Sequence, residues 1–450
     1  MRIHFIAIGG SAMHNLAIAL HKKGFQVTGS DDEVFEPSRG RLRKYGLLPK
    51  SMGWNPDSIT ADIDSVILGM HARPDNPELI RAQELNLKVY SYPEYLYEQT
   101  KNKTRIVIAG SHGKTTITSM LLHVLKSLGR KFDFMVGAQI KGFDTMVELT
   151  DESEIAIFEG DEYLSSPIDR RPKFLWYKPH IALATGVAWD HINVFPTESE
   201  YNQQFGLFAQ TIEPGGSFIY YEKDKVLSEI APQLQEINVI PYNELNAKTL
   251  DGKTLVETDE EEYELGIFGH HNLQNLAGAM EVALKIGISK PDFLKAMFSF
   301  EGASRRLQVL AENDDAKVFF DFAHAPSKVR ATVAAVKDQF PDRHLLAVLE
   351  LHTFSSLNKD FLPQYKGAMN AADEAVVFFN PEVVKHKKLP AIDPDDVKKA
   401  FSSNGLNVYT NPDDLKQYLE GLQIRDSNLL LMTSGNLAGI DVQNLAERIV

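Results

Sequence analysis

The 450 residues, 47 basic against 61 acidic, carry a formal net charge of −14, which argues against nucleic acid or an anionic membrane as the main partner. Cysteine is absent, so disulfides, thiolate–zinc sites and iron–sulfur clusters are excluded. Apolar residues at 43% and charged residues at 24% are globular proportions, and the length predicts about three domains.

The opening MRIHFIAIGG lacks the layout of a signal peptide, and no apolar stretch approaches the roughly 20 residues that span a bilayer. The expectation is a soluble, cytoplasmic protein. Strand-length apolar runs alternate with helix-period stretches, which predicts α/β architecture with largely parallel sheets. Ile3–Ile8 predicts a first strand, Ala12–Lys23 a helix and Phe25–Gly29 a second strand, continued by Ser65–Leu68 and Lys88–Tyr90. Apolar periodicity lapses over Glu98–Thr104, which reads as a linker.

A second unit opens with strand Arg105–Ala109, a glycine-containing loop and helix Thr115–Leu128, followed by strands near Ile155–Phe158 and Ile181–Ala184. Residues 213–264 have the turn-punctuated look of antiparallel strands, and helices over Leu273–Ile286 and Pro291–Phe298 close the unit. A third unit follows Gly302, with strands at Val318–Asp321, Leu345–Leu349, Ala375–Phe379 and Leu429–Met432 and a helix over Ser327–Phe340.

Arg105–Thr116, RIVIAGSHGKTT, sets Gly110, Ser111, His112, Gly113, Lys114, Thr115 and Thr116 between a buried-type strand and a helix. Glycines let backbone N–H groups turn toward phosphate oxygens, and the helix start adds partial positive charge. Lys114 supplies a point charge for β- and γ-phosphates, and the Thr115 hydroxyl suits Mg²⁺. The general phosphate-loop pattern wants a glycine where Ile108 stands. The bland alternative is a glycine turn with an exposed lysine.

Strand Ile155–Phe158 delivers Glu159-Gly160-Asp161-Glu162 at its carboxyl end, where ligands of parallel sheets bind. Such a carboxylate can hold the Mg²⁺ of a nucleotide. The next strand leads to Asp190-His191, a metal ligand or a ring satisfied by a carbonyl. In isolation the bland reading is the better one for each: a solvated acidic turn for the first, a ring satisfied by a carbonyl for the second. In consecutive α/β steps, the phosphate loop, the acidic strand end and the loop histidine would converge on one face of the same sheet.

In this order, Gly110–Thr116, Glu159–Glu162, Asp190-His191, Gly269-His-His271-Asn272 with Asn275, Phe300-Glu-Gly302 with Arg305-Arg306, and Asp321-Phe-Ala-His324 resemble the Mur ligase family across essentially the whole chain. The resemblance implies three α/β domains in series. These are an N-terminal Rossmann-like UDP-sugar domain over 1–101, a central P-loop ATPase-like domain with a parallel sheet over 102–302, and a C-terminal Rossmann-like domain receiving the amine over 303–450. It implies that Lys114 and Thr115 hold ATP phosphates and Mg²⁺, and that Glu159 and His191 bind a second Mg²⁺. Asn272 would read the adenine, while Arg306 and Asp321 would contact the nucleotide. Gly9, Gly10 and Ser11 resemble the family's uridine-diphosphate loop, with Ala7 and Ala12 replacing the glycines of a dinucleotide fingerprint. Ser30 and Asp31 stand where a ribose- or base-contacting acid is expected, and His71 precedes a substrate-loop stretch, Asn76-Pro-Glu78.

Within the family, Asp161-Glu-Tyr163, Asp169, Arg171, Lys173-Phe174, Tyr177-x-Pro179 and Asp190–Phe195 are similar to the members that attach L-alanyl-γ-D-glutamyl-meso-diaminopimelate to UDP-N-acetylmuramate in cell-wall recycling. The alternative is an alanine-adding ligase of peptidoglycan biosynthesis. Residues 192–222 contain no lysine, so the carbamylated lysine of several sister ligases is not expected. Leu164 replaces a common acid, and Leu351–Ser356 and Thr433–Gly439 match the peptide ligases' third-domain motifs only in part. The implied chemistry is ATP-dependent conversion of a carboxylate to an acyl phosphate, then amine attack, with His324 a candidate base. A nucleotide-dependent dehydrogenase and a non-catalytic UDP-sugar sensor are the competing classes. The degraded fingerprint disfavours the first, and intact Lys114, Thr115, Glu159 and His191 disfavour the second.

Overall fold

The computed structural model describes residues 1–190, 194–250, 253–258, 261–300, 302, 306–402 and 405–450. The chain divides into two compact units. The first comprises Met1–Val187, Glu198–Asn243 and Gly278–Ile288, and the second Ala188–Thr197, Glu244–Ala277 and Ser289–Val450. Among the described residues no helix is long and apolar enough to cross a membrane.

The first unit holds two sheets. Strands β1 (Arg2–Ile6), β2 (Gln26–Ser30), β3 (Ser65–Leu68) and β4 (Val89–Ser91) form a parallel sheet in the order β2-β1-β3-β4. The chain leaves β1 toward one edge and returns beyond it on the other, so the turn after β1 sits at a switch point, where such sheets take ligands. The seven-stranded sheet uses β5 (Thr104–Ala109), β6 (Asp133–Met135), β7 (Val147–Glu148), β8 (Ile155–Glu159), β9 (Ile181–Ala184), β10 (Ser217–Tyr221) and β11 (Asn238–Tyr242). Their order is β11-β10-β9-β5-β8-β6-β7, parallel except for the edge strand β7. Central β5, with Ile106, Val107, Ile108 and Ala109 fully buried, is the continuous apolar run that a strand covered on both faces requires. The loops after β5, β8 and β9 therefore open at one sheet edge, around a second switch point.

The second unit holds an antiparallel sheet of β12 (Lys248–Leu250), β13 (Lys253–Glu257) and β14 (Glu262–Leu265). Its six-stranded sheet takes β15 (Gln308–Glu312), β16 (Ala316–Asp321), β17 (His344–Glu350), β18 (Glu374–Phe378), β19 (Asn407–Tyr409) and β20 (Ser427–Met432). The order is β15-β16-β20-β17-β18-β19, with only β15 antiparallel. Along β17 the side chains alternate between two cores: Leu345, Ala347 and Leu349 enter one, Leu346 and Val348 the other.

Two sequence expectations are corrected. The polar stretch Glu98–Thr104 is mostly structured: helix Tyr92–Thr100 runs through its first half and β5 starts at Thr104. Ser91 and Glu94 close a capping box, and the buried tyrosines Tyr92 and Tyr95 carry an apolar face that a charge-rich window hides. The segment 213–264 is antiparallel only from β12 onward. Strands β10 and β11 extend the parallel sheet, linked through a short helix, Lys225–Ile230, capped by Asp224.

Candidate functional site

The turn after β5 depends on its glycines. Gly110 has φ +125°, and a Cβ there would lie 2.0 Å from the Thr185 hydroxyl at the end of β9. Gly113, at φ +74°, is the residue before helix Lys114–Ser127. Ile108, where the general pattern wants glycine, is still in the strand, paired with Glu159 and Leu183. Ser111 N–H donates to the Gly186 carbonyl at 2.9 Å and Thr185 Oγ1 to the His112 carbonyl at 2.5 Å, tying the loop to the end of β9. Thr116 follows in the first helical turn, buried.

Each of the two loop groups suited to phosphate and metal is held by an acid from the end of β8. Lys114 Nζ donates to the Gly110 carbonyl at 2.6 Å and to Glu162 Oε2 at 2.8 Å. Burial works against the Lys114 charge, but the Glu162, Asp161 and Glu159 carboxylates outweigh it and push the ammonium upward. Thr115 Oγ1 donates to Glu159 Oε1 at 3.0 Å, and Gly137 N–H to Glu159 Oε2 at 2.8 Å. The Tyr201 hydroxyl, fully buried on helix Glu198–Ala209, donates to Glu162 Oε1 at 2.9 Å and so accepts from Ser111 Oγ, 2.8 Å away. Ser111, Tyr201, Glu162 and Lys114 thus close a hydrogen-bonded ring across the loop.

Asp161 faces Lys173, with Oδ2 2.5 Å from Nζ. Burial opposes its ionisation, but Lys173, and Lys114 beyond it, hold the carboxyl below the usual range. Glu159, Asp161 and Lys173 line a cavity of about 200 Å³ together with Ser11, Ala12 and Tyr92. The helix start that follows the glycine turn of the first sheet and the acidic strand end of the second thereby share one space.

On that turn, Gly9 N–H donates to Asp31 Oδ2 at 2.6 Å, and burial pushes the Asp31 carboxyl up to about 6, with Asp32 beside it. Ala7 adopts φ +66°. An alanine thus occupies the left-handed position that the fingerprint fills with glycine. Gly10 precedes helix Ser11–Lys22. The Ser30 hydroxyl donates to buried Glu78, which also accepts from Asn55 N–H at 2.7 Å. His71 is exposed on a loop.

In the second unit, Asn272 lies in the first turn of helix His270–Lys285 and donates to the Phe268 carbonyl at 2.9 Å. Asp321, at the end of β16, accepts from the Leu307 and Ala323 N–H groups at 2.6 Å each. Burial pushes its carboxyl up against the pull of Arg306. The Arg306 guanidinium stacks over Phe322 at 4.8 Å. Burial drives His324 down to about 4, Lys328 adding to it, so its ring is neutral at pH 7 and a weak base. The partial-match stretches 351–356 and 433–439 flank one buried acid: Glu350 Oε2 accepts from Thr433 Oγ1 and from Leu437 N–H, the latter at 2.8 Å.

The expected metal ligand His191, with Glu301 and Arg305, lies outside the described residues. Among the described residues no group of three or more metal-ligating side chains forms. Glu162 was legible only as part of an acidic run. Neither Tyr201 nor Thr185 carries a motif signal, since their roles come from strand order and burial.

Three family models cover the chain in sequence: the Mur ligase family catalytic domain over residues 2–104, the Mur ligase middle domain over 108–283 and the Mur ligase glutamate ligase domain over 305–437. A UDP-N-acetylmuramate–L-alanine ligase of Caldicellulosiruptor bescii is 32% identical over 387 residues, 83% of this chain and 82% of the relative. The UDP-N-acetylmuramate–alanine ligase structure from Thermotoga maritima superposes with a TM-score of 0.71 at 21% identity, covering 100% of this chain and 98% of its own. A murein peptide ligase structure from Psychrobacter arcticus gives 0.67 at 22% identity, again covering 100% of this chain and 98% of its own. The order of three α/β modules, the phosphate-type loop and these matches have one common reading: the chain belongs to the Mur ligase family of ATP-dependent, amide-bond-forming ligases.

Proposed function

We propose that this chain joins the carboxylate of UDP-N-acetylmuramate to the amino group of L-alanine, in the cytoplasm, coupled to conversion of ATP to ADP and phosphate. The observation that carries the reading is the cavity that joins Ser11 and Ala12, just after the glycine turn, to Glu159 and Asp161. A sugar nucleotide held at Gly9, Gly10, Ser11 and Asp31 would present its acid end to the strand end beside the phosphate loop. Lys114 and the helix start would stabilise the transferring phosphoryl group. The hard oxygens of Thr115 and Glu159 suit Mg²⁺, which, held there with His191, would neutralise charge on phosphate oxygens. Asn272, Arg306 and Asp321 complete the proposed nucleotide contacts, and the division at 101/102 and 302/303 separates sugar, ATP and amine domains.

The alanine assignment rests on the name carried by the 32%-identical relative, and it displaces the peptide as the first reading. The peptide L-alanyl-γ-D-glutamyl-meso-diaminopimelate stays as the second, favoured by the segment from Asp161 to Tyr177. That segment is internally braced: Asp169 accepts from Arg171 Nε at 2.9 Å and from Trp176 Nε1 at 2.8 Å, and Arg171 stacks on Trp176 at 4.3 Å. Incubation with Mg-ATP and UDP-N-acetylmuramate, with either amine added, separates the readings by phosphate release and product mass. Release with alanine supports the first, release with the peptide alone moves the chain to the second, and silence with both sinks the substrate assignment.

A further inference from the structure

We propose that Lys173 is the residue that receives the carboxylate of the UDP-linked sugar acid and thereby distinguishes that acid from uncharged UDP-sugars. This deepens the proposed function and rests on it. The cavity beside the glycine turn already carries two acids, Glu159 and Asp161, and Lys173 is its one cation among the described residues. Before Mg-ATP arrives, a substrate carboxylate entering there meets like charge on two sides, since Mg²⁺ at Glu159 would come with the nucleotide. Without a cation the site would repel the group it activates.

Lys114 is poorly placed to supply that cation. It is engaged by the Gly110 carbonyl and Glu162, and it does not line the cavity. Lys173 is suited to it. One of its three N–H donors goes to Asp161, its ammonium lies 5.7 Å from the centre of the Tyr163 ring, and its side chain is 21% exposed. Two donors remain for a ligand oxygen. The backbone beneath it is fixed, since Lys173 N–H donates to the Tyr163 carbonyl at 2.9 Å and Phe174 N–H to the Asp161 carbonyl at 3.1 Å. Phe174, fully buried, anchors the short helix Lys173–Trp176 that carries the lysine. The geometry therefore divides labour between two lysines, Lys114 for phosphate and Lys173 for carboxylate.

The test is calorimetric binding of two UDP-sugars, without ATP, to the full-length protein and its Lys173→Met and Lys173→Arg variants. UDP-N-acetylmuramate carries the carboxylate and UDP-N-acetylglucosamine does not, so the second ligand also reports whether the variant is folded. The expected result is at least tenfold weaker binding of the acid by Lys173→Met, with the uncharged sugar within twofold of the parent and Lys173→Arg recovering most of the loss. Equal weakening of both sugars, or of neither, overturns the role of Lys173. Failure of the unaltered protein to bind either UDP-sugar would instead overturn the functional reading on which the proposal stands.

Discussion

The pairing of Lys114 with Glu162 predicts an uncommon outcome for Glu162→Gln: the variant should bind ATP more tightly while being less stable without it. The pair is 2.8 Å apart, with the lysine 13% and the glutamate 2% exposed, so it is little screened. Removing one partner of such a pair outright costs about 3–5 kcal/mol. Glutamine keeps the shape and one acceptor, so the loss is nearer that of a charge-assisted hydrogen bond, about 1.5–3 kcal/mol. In the ATP complex the phosphates supply the missing negative charge to Lys114, and the penalty should largely vanish. By linkage, the affinity for Mg-ATP should rise roughly tenfold to a hundredfold, at about 1.4 kcal/mol per decade. Calorimetric titration with a non-hydrolysable ATP analogue reads the affinity, and a thermal melt with and without the analogue reads the stability. An unchanged or weaker affinity, with no larger ligand-induced thermal shift than in the parent protein, would show that Glu162 remains the partner of Lys114 in the complex and would refute the reasoning.

Lys114→Ala should lower kcat for phosphate release by about 10²–10³ while leaving UDP-sugar binding intact, a split that steady-state kinetics and calorimetry resolve. His271 and His324, both pushed down to about 4, bind fewer protons folded than unfolded between about pH 4 and 6.5. Their contribution is present above the unfolded value of about 6.5 and is lost as pH falls toward 4. Asp31, raised to about 6, acts in the opposite sense, since its folded form holds the extra proton below that pH. Melting temperatures of a His271→Asn/His324→Asn double variant should accordingly fall less steeply from pH 6.5 to 4.5 than those of the parent. An unchanged slope would contradict the burial argument.

Much of the molecule was legible where one residue type has one physical use. The run Arg105–Thr116 located β5, its glycine turn and the following helix to within a residue, because a covered strand, a left-handed turn and a helix start leave few alternatives. The acidic end of β8 was equally plain. What it does there was not. The division of Glu159 to Thr115 and Glu162 to Lys114 depends on β8 lying beside β5, a neighbourhood that chain order conceals because β6 and β7 intervene. Tyr201, fully buried, reads in sequence as an ordinary helical core residue, and only the position of its hydroxyl distinguishes it. The parallel strands β10 and β11 looked antiparallel because the helix between them is only 6 residues long and the surrounding turns dominate the composition. Asp31 stands where a ribose- or base-contacting acid is expected, and its part in ordering the glycine turn through Gly9 has no signal in the sequence.

In the proposed reaction ATP activates the sugar carboxylate as an acyl phosphate. The most direct measurement is the fate of ¹⁸O placed in the carboxylate of UDP-N-acetylmuramate during turnover with Mg-ATP and the amine. Activation as an acyl phosphate leaves one ¹⁸O atom in the released inorganic phosphate and gives ADP as the nucleotide product. Label appearing in AMP, or phosphate free of label while amide accumulates, would contradict it.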